Sequence, residues 1–528
     1  MAAPKGGDDP APFPVKEQLP GVDFCITSNP PWHESIILGF QHFLVMLGTT
    51  VMIPSILVPQ MGGGQEEKAK VIQTLLFVSG LNTLLQTLFG CRTSIVIGGS
   101  YAFVIPAISI IFTGHFAHII DPHERFRATM RSIQGAIMFA SIFPVIIGVL
   151  GLWRIVVRFL SPLAAIPLVT LTGLGLLQYG FPLLAQCSAI GIPALAVLIF
   201  LSQYLGSILK PFKSVGRRYA PIATVALISA FAAVLTAGRA FKNTSPSTQF
   251  YCRTDHSGLI GAASWLRVPY PFQWGRPTLN ITSGFAMMAA TFVSVIESTG
   301  SFIAAARYGS ATPVPSSVIG RGVTWLGAGN FLNGAFGTVC GSVASVENVG
   351  LLGLNQIGSR RVAQIAAFFM LFFSVLGKFG AVLASIPLPI FAAVNCVLYA
   401  YVASAGLDFL QFCNLNSFRT KFILGLSLYM GLSVPQFFND YLMVDGRTPV
   451  STNSKAFNSL VQVIFTSSAT VGGIIALFLD LTLHRRQPET RKDSGRLWWT
   501  KYRAFETDPR SEEFYSLPWG LNKYFPSV

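Results

Sequence analysis

The sequence predicts an all-α polytopic membrane protein of about fourteen transmembrane spans, arranged as a seven-plus-seven inverted repeat. Three observations carry this: a composition too apolar for water, an alternation of basic and acidic loops, and an odd number of spans in each half. Of 528 residues, 52% are hydrophobic and 11% charged, whereas soluble domains carry roughly a quarter charged residues. The apolar residues would fill about fourteen spans at ~20 residues each. A net charge of +15 invites a nucleic-acid reading, but such proteins gather Lys and Arg into patches on a polar surface. Here they stand in short loops between apolar runs, so the lipid bilayer is the expected environment and no nucleic acid is a partner.

Apolar runs bounded by charge, glycine or proline place spans at 35–60, 71–90, 94–113, 133–153, 161–183, 190–209 and 220–237 in the first half. The second half places them at 281–306, 318–335, 338–354, 362–385, 387–405, 420–437 and 457–481. With a cytoplasmic N-terminus, alternate loops on that side hold Arg92, Arg154, Arg158, Lys210, Lys213, Arg217, Arg218, Arg307, Arg321, Arg360, Arg361, Arg419 and Lys421, against one acid, Asp408. Opposite loops hold Glu66, Glu67, Asp121, Glu124, Asp255, Asp440 and Asp445. The positive-inside rule then puts both ends in the cytoplasm, and Arg485, Arg486, Arg491 and Lys492 in the tail agree.

The chain divides into a cytoplasmic segment 1–34, a first repeat 35–237, an extracytoplasmic loop 238–280, a second repeat 281–481 and a cytoplasmic tail 482–528. The first twenty residues are polar and proline-rich without an apolar core, so no cleavable signal peptide is expected. In the tail, Trp498 and Trp499 read as an interfacial anchor or cytoplasmic extension rather than a domain. Asn243-Thr244-Ser245 and Asn280-Ile281-Thr282 match the glycosylation pattern, the first followed by Pro246 and the second crowded by the membrane. The seven cysteines, at 25, 91, 187, 252, 340, 396 and 413, show no CxxC pair and no even framework. Neither a zinc site nor a disulfide scaffold is signalled.

Seven spans in each half force the halves into opposite orientations, the inverted-repeat plan of many secondary transporters. An internal echo agrees: Gly99-Ser100-Tyr101-Ala102-Phe103-Val104 in the third span lines up with Gly341-Ser342-Val343-Ala344-Ser345-Val346 in the tenth. Small residues also let helices approach closely. Their matching positions favour short broken helices that expose backbone N–H groups to a substrate.

Among 22 acidic residues, Glu297 in TFVSVIESTGSF and Glu347 in GSVASVENVGLL fall inside spans. A carboxylate in hydrocarbon costs roughly 2.5–3.5 kcal/mol on insertion scales. Each should therefore serve a purpose, as an interhelical hydrogen bonder, a ligand acceptor or a proton carrier. His42, beside Gln41, is an intramembrane histidine with either a bracing or a coupling role. Asn348 either bonds a ligand or braces the broken tenth helix. Tyr101 and Phe103 either pack the core or offer a flat stacking face. Lys378 reads as snorkelling or paired at a helix end.

At these residues the sequence resembles the nucleobase–ascorbate transporter family, in its plant branch, over nearly the whole chain. The family signature is Gln, Glu or Pro, then Asn-x-Gly, four residues, Thr and a basic residue or Gly. Here it reads Glu347-Asn348-Val349-Gly350-Leu351-Leu352-Gly353-Leu354-Asn355-Gln356. Gln41-His42, GGSYAFVIP and Glu297 in VIESTGSF match the first-, third- and eighth-span elements, while PYPFQW, GKFGAVLASIPLPIF and RSEEFYSLPWGL are plant-like. The resemblance implies a core domain (spans 1–4 and 8–11) and a gate domain (5–7 and 12–14), with substrate between the half-helices of spans 3 and 10. It further implies a homodimer working by an elevator-like motion, and proton-coupled carriage of purines such as xanthine and uric acid in plant relatives.

Two departures stand out. Asn355 and Gln356 replace the Thr and basic residue at positions the family associates with specificity. Leu326 stands where microbial relatives carry a ninth-span Asp.

A purine dione presents N–H donors and carbonyl acceptors in one plane. Glu297 and Glu347 would accept its N–H groups, while Asn348, Gln41 and backbone N–H groups around Ser342 would donate. Glu297 is the expected principal acceptor, with Glu347 a second acceptor and candidate carrier of the coupling proton. Ascorbate, an anion, would be repelled by two carboxylates. Other bases, ascorbate itself, sodium in place of the proton, and a non-transporting sensor remain the alternatives, and a sulfate-permease-type anion carrier fits paired acids poorly. No GxSxG, HExxH or Walker motif stands in a supporting context, so no enzyme, metal site or cofactor is expected. The plasma membrane is the expected location.

Overall fold

Each half of the chain opens with two long apolar helices and then breaks. The computed structural model describes residues 16–112, 116, 118–209, 213–255, 261, 263–445, 448–484 and 509–523. In the first half α1 (Trp32–Gln60) and α2 (Gln65–Leu88) are followed by a strand, β1 (Ile97–Gly99), and a short helix, α3 (Val104–Ile111). Then come α4 (Pro122–Val149), α5 (Leu152–Phe159), α6 (Pro162–Leu174), α7 (Phe181–Ala185), α8 (Ser188–Ile199), α9 (Leu205–Ile208) and α10 (Lys213–Ala237). The intervening loop carries α11 (Pro246–Cys252).

The second half repeats the opening with α12 (Ile281–Tyr308), α13 (Ser316–Phe336), β2 (Ser342–Ala344) and α14 (Val346–Asn355). It continues through α15 (Arg360–Val375), α16 (Gly377–Ala384), α17 (Leu388–Leu407), α18 (Phe418–Asp445), α19 (Lys455–Phe465) and α20 (Ser468–Thr482), and α21 (Pro509–Tyr515) lies in the tail.

Nine helices among the described residues are long and apolar enough to cross a bilayer, and the pair α19 and α20, bent by 82°, makes a tenth. The order of elements is consistent with fourteen spans; the remaining four fall short for local reasons. The third and tenth each contain a three-residue strand and continue as helices of only 8 and 10 residues. The eleventh breaks at Leu376 after the 16 residues of α15. The ninth, α13, is rich in glycine and asparagine.

The fifth and fourteenth spans, expected to be continuous, are also interrupted. A 3₁₀ turn at Leu177–Tyr179 separates α6 from α7. Ser467 starts α20 afresh by accepting a hydrogen bond from the Thr470 N–H at 3.4 Å, as an N-cap does.

β1 and β2 pair antiparallel, Ile97 opposite Ala344, Gly98 opposite Val343 and Gly99 opposite Ser342. A strand ribbon inside a membrane must have its outer edges satisfied by protein. Here side chains do so: Thr83 of α2 accepts from the Ile97 N–H at 2.9 Å, Asn330 of α13 from Ser342 N–H at 2.6 Å, and Ser298 of α12 from Ala344 N–H at 3.1 Å.

Just after each strand a serine, Ser100 or Ser345, caps the helical turn where the chain restarts. The internal echo is therefore real, but its register differs by three residues from the one composition indicates. The equivalence is Ser100 with Ser345, because a capping hydroxyl and not a shared glycine marks where each helix restarts.

The helices pack in two groups. α1, α2, α4, α12, α13 and α15 pack on one another, as do α6, α17, α18 and α20, with α8 and α10 against α17. α1 is buried along most of its length, whereas α8, α10 and α18 expose large apolar side chains such as Ile192, Leu227, Val234 and Phe437, as lipid-facing helices must.

Cys187 and Cys252 form a disulfide tying the turn before α8 to the end of α11. This corrects the expectation of no disulfide. An odd cysteine count conceals one pair whose partners lie 65 residues apart.

In the tail, the guanidinium groups of Arg92, Arg321 and Arg360 donate to the backbone carbonyls of Ser516, Tyr515 and Phe514. The segment around α21 is thereby docked on the loop after α2 and on the first turns of α13 and α15, with Tyr515 fully buried. Lys378 donates to the Gly261 carbonyl at 3.1 Å, and Arg307 pairs with Asp408 at 3.3 Å. Asn280 spends its side-chain oxygen capping α12 through the Thr282 N–H, while Asn243 is exposed. Residues 1–15, Lys210, Arg485, Arg486, Arg491, Lys492, Trp498 and Trp499 lie outside the described residues.

Candidate functional site

Glu347 occupies the first turn of α14, immediately after the β2 strand, and is 3% exposed. Its position at a helix N-terminus suits an acid, because the orphan N–H groups there carry partial positive charge. Three hydroxyls converge on it: Thr49 of α1 donates at 2.6 Å and Tyr399 of α17 at 3.2 Å to Oε1, and Ser345 at 2.8 Å to Oε2. Asn348, one residue on, is engaged on both sides. Its Oδ1 lies 2.8 Å from His42 Nδ1, and its Nδ2 donates to Ser345 Oγ at 2.9 Å. His42 therefore braces the restart of α14 through Asn348.

Gly350 completes this turn: a Cβ there would lie 2.1 Å from the Leu398 carbonyl oxygen, so only glycine lets α14 lie against the backbone of α17. The signature Asn-x-Gly has a physical reading here, a brace followed by a close approach.

Glu297 sits in the middle of the unbroken α12 and is half-buried. Ser467, at the bend between α19 and α20, donates to its Oε1 at 3.0 Å and is its one hydrogen-bond donor among the described residues. Two tyrosines accompany the two carboxylates. Tyr101, beside the broken third span, stacks on Tyr179 with centroids 3.9 Å apart and planes inclined by 14°. Tyr101 lies within electrostatic range of Glu347, and Tyr179 within range of Glu297. Hydroxyl donors, carboxylate acceptors and a flat aromatic face thus meet where the two helix groups touch.

The other sequence candidates stand further off. Phe103 is fully buried, its ring filling the space beside Gly341. Ser342 Oγ accepts from Asn82 at 2.9 Å and Asn333 at 2.6 Å, locking β2 to α2 and α13. Asn355 lies at the far end of α14, ~12 Å along the helix from Glu347, where its Oδ1 is 3.5 Å from Gln41 Nε2. Gln41 Oε1 and Asn355 Nδ2 are both buried without a hydrogen-bond partner among the described residues. Gln356 ends α14 in the left-handed region at φ 57°, and its carbonyl accepts from Asp23 N–H at 2.9 Å. Leu326 is buried in the core.

Sequence reasoning missed Thr49, Tyr399, Ser467 and Tyr179. Thr49 was findable, since it follows His42 by two helical turns on one face. The others carry no local signal.

Residues 33–439 match the model of the Permease family. The chain is 61% identical over 520 residues to Nucleobase-ascorbate transporter 4 of Arabidopsis thaliana, covering 98% of this chain and 99% of the relative. The chain belongs to the nucleobase–ascorbate transporter family. It is accordingly a multi-pass membrane transporter and not an enzyme. Nucleobase-ascorbate transporter 6 of the same plant is 58% identical over 526 residues, covering 100% and 99% of the two chains. Nucleobase-ascorbate transporter LPE1 of Zea mays is 53% identical over 525 residues, covering 99% and 100%. Among solved structures, the transmembrane domain of a cyanobacterium bicarbonate transporter, BicA, is 13% identical with a TM-score of 0.40, covering 86% of this chain and 99% of that one.

Proposed function

We propose that this family member is a proton-coupled carrier of nucleobases, with oxidised purines such as xanthine and uric acid as its preferred substrates. The observation that carries the reading is the pair of intramembrane carboxylates, Glu297 and Glu347, one within electrostatic range of each ring of the Tyr101–Tyr179 stack. A purine dione is flat and offers N–H donors at its edge; a carboxylate accepts such donors through charge-assisted bonds, and a tyrosine ring receives the base face. Ascorbate brings a negative charge to two acids, which disfavours it.

Glu297, half-buried and holding one hydroxyl, is the principal acceptor. Glu347, enclosed by three hydroxyls, is a second acceptor and the carrier of the coupling proton, and Asn348 with His42 holds it in place. Gln41, Asn355 and Gln356 act on specificity through the orientation of α14.

The two helix groups support an elevator-like motion in a homodimer, with the group bearing the broken spans sliding against α6, α17, α18 and α20. The Cys187–Cys252 disulfide lies on the side opposite the basic loops. Disulfides persist in oxidising surroundings, which favours cytoplasmic termini and the plasma membrane.

The test is uptake of labelled xanthine, uric acid, uracil and ascorbate into vesicles bearing the full chain, at two external pH values, with and without a protonophore. Saturable purine uptake that rises with external acidity and collapses with protonophore is expected. Uptake of ascorbate alone, or dependence on sodium with indifference to pH, overturns the reading. Purine binding without uptake identifies a sensor instead.

A further inference from the structure

The stack of Tyr101 on Tyr179 has a geometric consequence for any flat ligand. With centroids 3.9 Å apart and planes 14° from parallel, the rings are in van der Waals contact and nothing fits between them. A base that stacks on this face of Tyr101 has to take the place of Tyr179.

The two rings come from opposite helix groups: Tyr101 from the broken third span, Tyr179 from the 3₁₀ turn between α6 and α7. That turn is three residues long, lies between Gly175 and Gly180, and is half-exposed. Its backbone is held by 3₁₀ bonds, Tyr179 N–H to the Leu176 carbonyl at 2.9 Å and Gly180 N–H to the Leu177 carbonyl at 3.1 Å, and by no α-helical ladder. Tyr179 is not alone in reaching across. Tyr399 of α17 donates its hydroxyl to Glu347 at 3.2 Å, and Ser467 before α20 donates to Glu297 at 3.0 Å. All three belong to the group that packs around α6, α17 and α20, and all three offer what a base offers: a planar ring and donors for two carboxylates.

We propose that Tyr179 is a self-plug that occupies the base-stacking face of Tyr101 in the empty carrier, so that substrate affinity is set by competition with this ring. The proposal rests on the reading of the site as a nucleobase site. It predicts that a substrate binds by exchange: the ring of the base replaces Tyr179, and its N–H groups replace the hydroxyls of Tyr399 and Ser467 on the carboxylates. A ligand too small to displace the ring and satisfy both acids binds weakly, which makes Tyr179 a specificity residue that touches no bound substrate.

Equilibrium binding of tritiated xanthine, uric acid and uracil, and of labelled ascorbate, to the full-length chain in nanodiscs tests this with Tyr179→Leu and Tyr179→Phe. Tyr179→Leu fills space without an aromatic face and is expected to bind the preferred base about fivefold more tightly, the equivalent of one lost ring stack. Tyr179→Phe keeps the stack and should stay within about twofold of the native chain. Equal or weaker binding by Tyr179→Leu overturns the plug, because a residue that stacks on the substrate gives loss where a competitor gives gain.

A second readout guards against misfolding, because binding kinetics report only on the folded fraction. Tyr179→Leu should gain its affinity through a faster on-rate with the off-rate unchanged, since the native ring competes for the empty face and touches no bound substrate; an unchanged on-rate or an altered off-rate overturns the proposal. If the native chain binds ascorbate and none of the bases, the nucleobase reading fails, and the plug is then decided by the same variants with ascorbate as the probe.

Discussion

Glu347 and Glu297 are both carboxylates inside apolar spans, yet their surroundings differ in kind. Glu347 stands where a helix restarts after a strand, 3% exposed and held by Thr49, Tyr399 and Ser345. Glu297 stands in mid-helix, half-buried, with Ser467 as its one hydroxyl donor among the described residues. Burying a charge is tolerable when hydrogen bonds replace its hydration. At Glu347 the protein supplies that replacement itself. At Glu297 much of it is left to whatever enters the site. The first arrangement suits a group that must stay in place while its charge changes, and the second suits one that waits for a donor.

Substitutions can break or sharpen this contrast. The largest effect belongs to Glu297→Gln. A hydrogen bond to a charged group contributes about 1.5–3 kcal/mol, so purine affinity should fall about ten- to hundredfold, read by displacement of labelled base. Unchanged affinity would remove Glu297 from the site.

Glu347→Gln should cost less in binding, under about tenfold, while abolishing the dependence of uptake on external pH and protonophore. A binding loss as large as that of Glu297→Gln would erase the distinction between the two acids.

Tyr399→Phe and Thr49→Val each remove one of three hydroxyl donors to Glu347. Uptake by each should shift along the pH axis; Tyr399→Phe, whose hydroxyl the base displaces, should also bind the base more tightly by up to about threefold, while Thr49→Val should show no such gain. If only one alters the pH profile, the hydroxyls do not act on the same carboxylate.

The smallest change is expected for Ser467→Ala. It withdraws a competing hydroxyl from Glu297 and should leave purine affinity within about threefold of the native chain, on the side of tighter binding. A tenfold loss would make Ser467 a substrate contact.

How much of this is legible in the sequence depends on the kind of residue. Glu297 and Glu347 stand out because an acid in an apolar run is rare and costly. The breaks at Ser100 and Ser345 are visible as stretches of small residues, although the capping serines set the register three residues away from the composition match. The hydroxyl partners are not visible. In these helices most Ser and Thr side chains satisfy themselves on a carbonyl of their own helix, as Thr50 does on Met46 at 2.9 Å and Thr291 on Met287 at 2.9 Å. A hydroxyl that looks sideways instead, such as Thr49 or Ser467, has the same local sequence signature. Cys187 and Cys252 are hidden in a like manner, since pairing depends on where α11 folds back and not on cysteine spacing.

The apolar runs, the basic loops and the two intramembrane acids arise from free energies that each residue contributes where it stands: transfer of a side chain into lipid, attraction of Lys and Arg to one side, and the cost of a buried charge. Such terms add along a chain and can be read from it in order. Which tyrosine covers Tyr101, which hydroxyls hold Glu347, and why Gly350 must lack a side chain are settled by how separate helices cross. Those contacts join residues as much as 298 positions apart, and no sum over neighbours in sequence contains them.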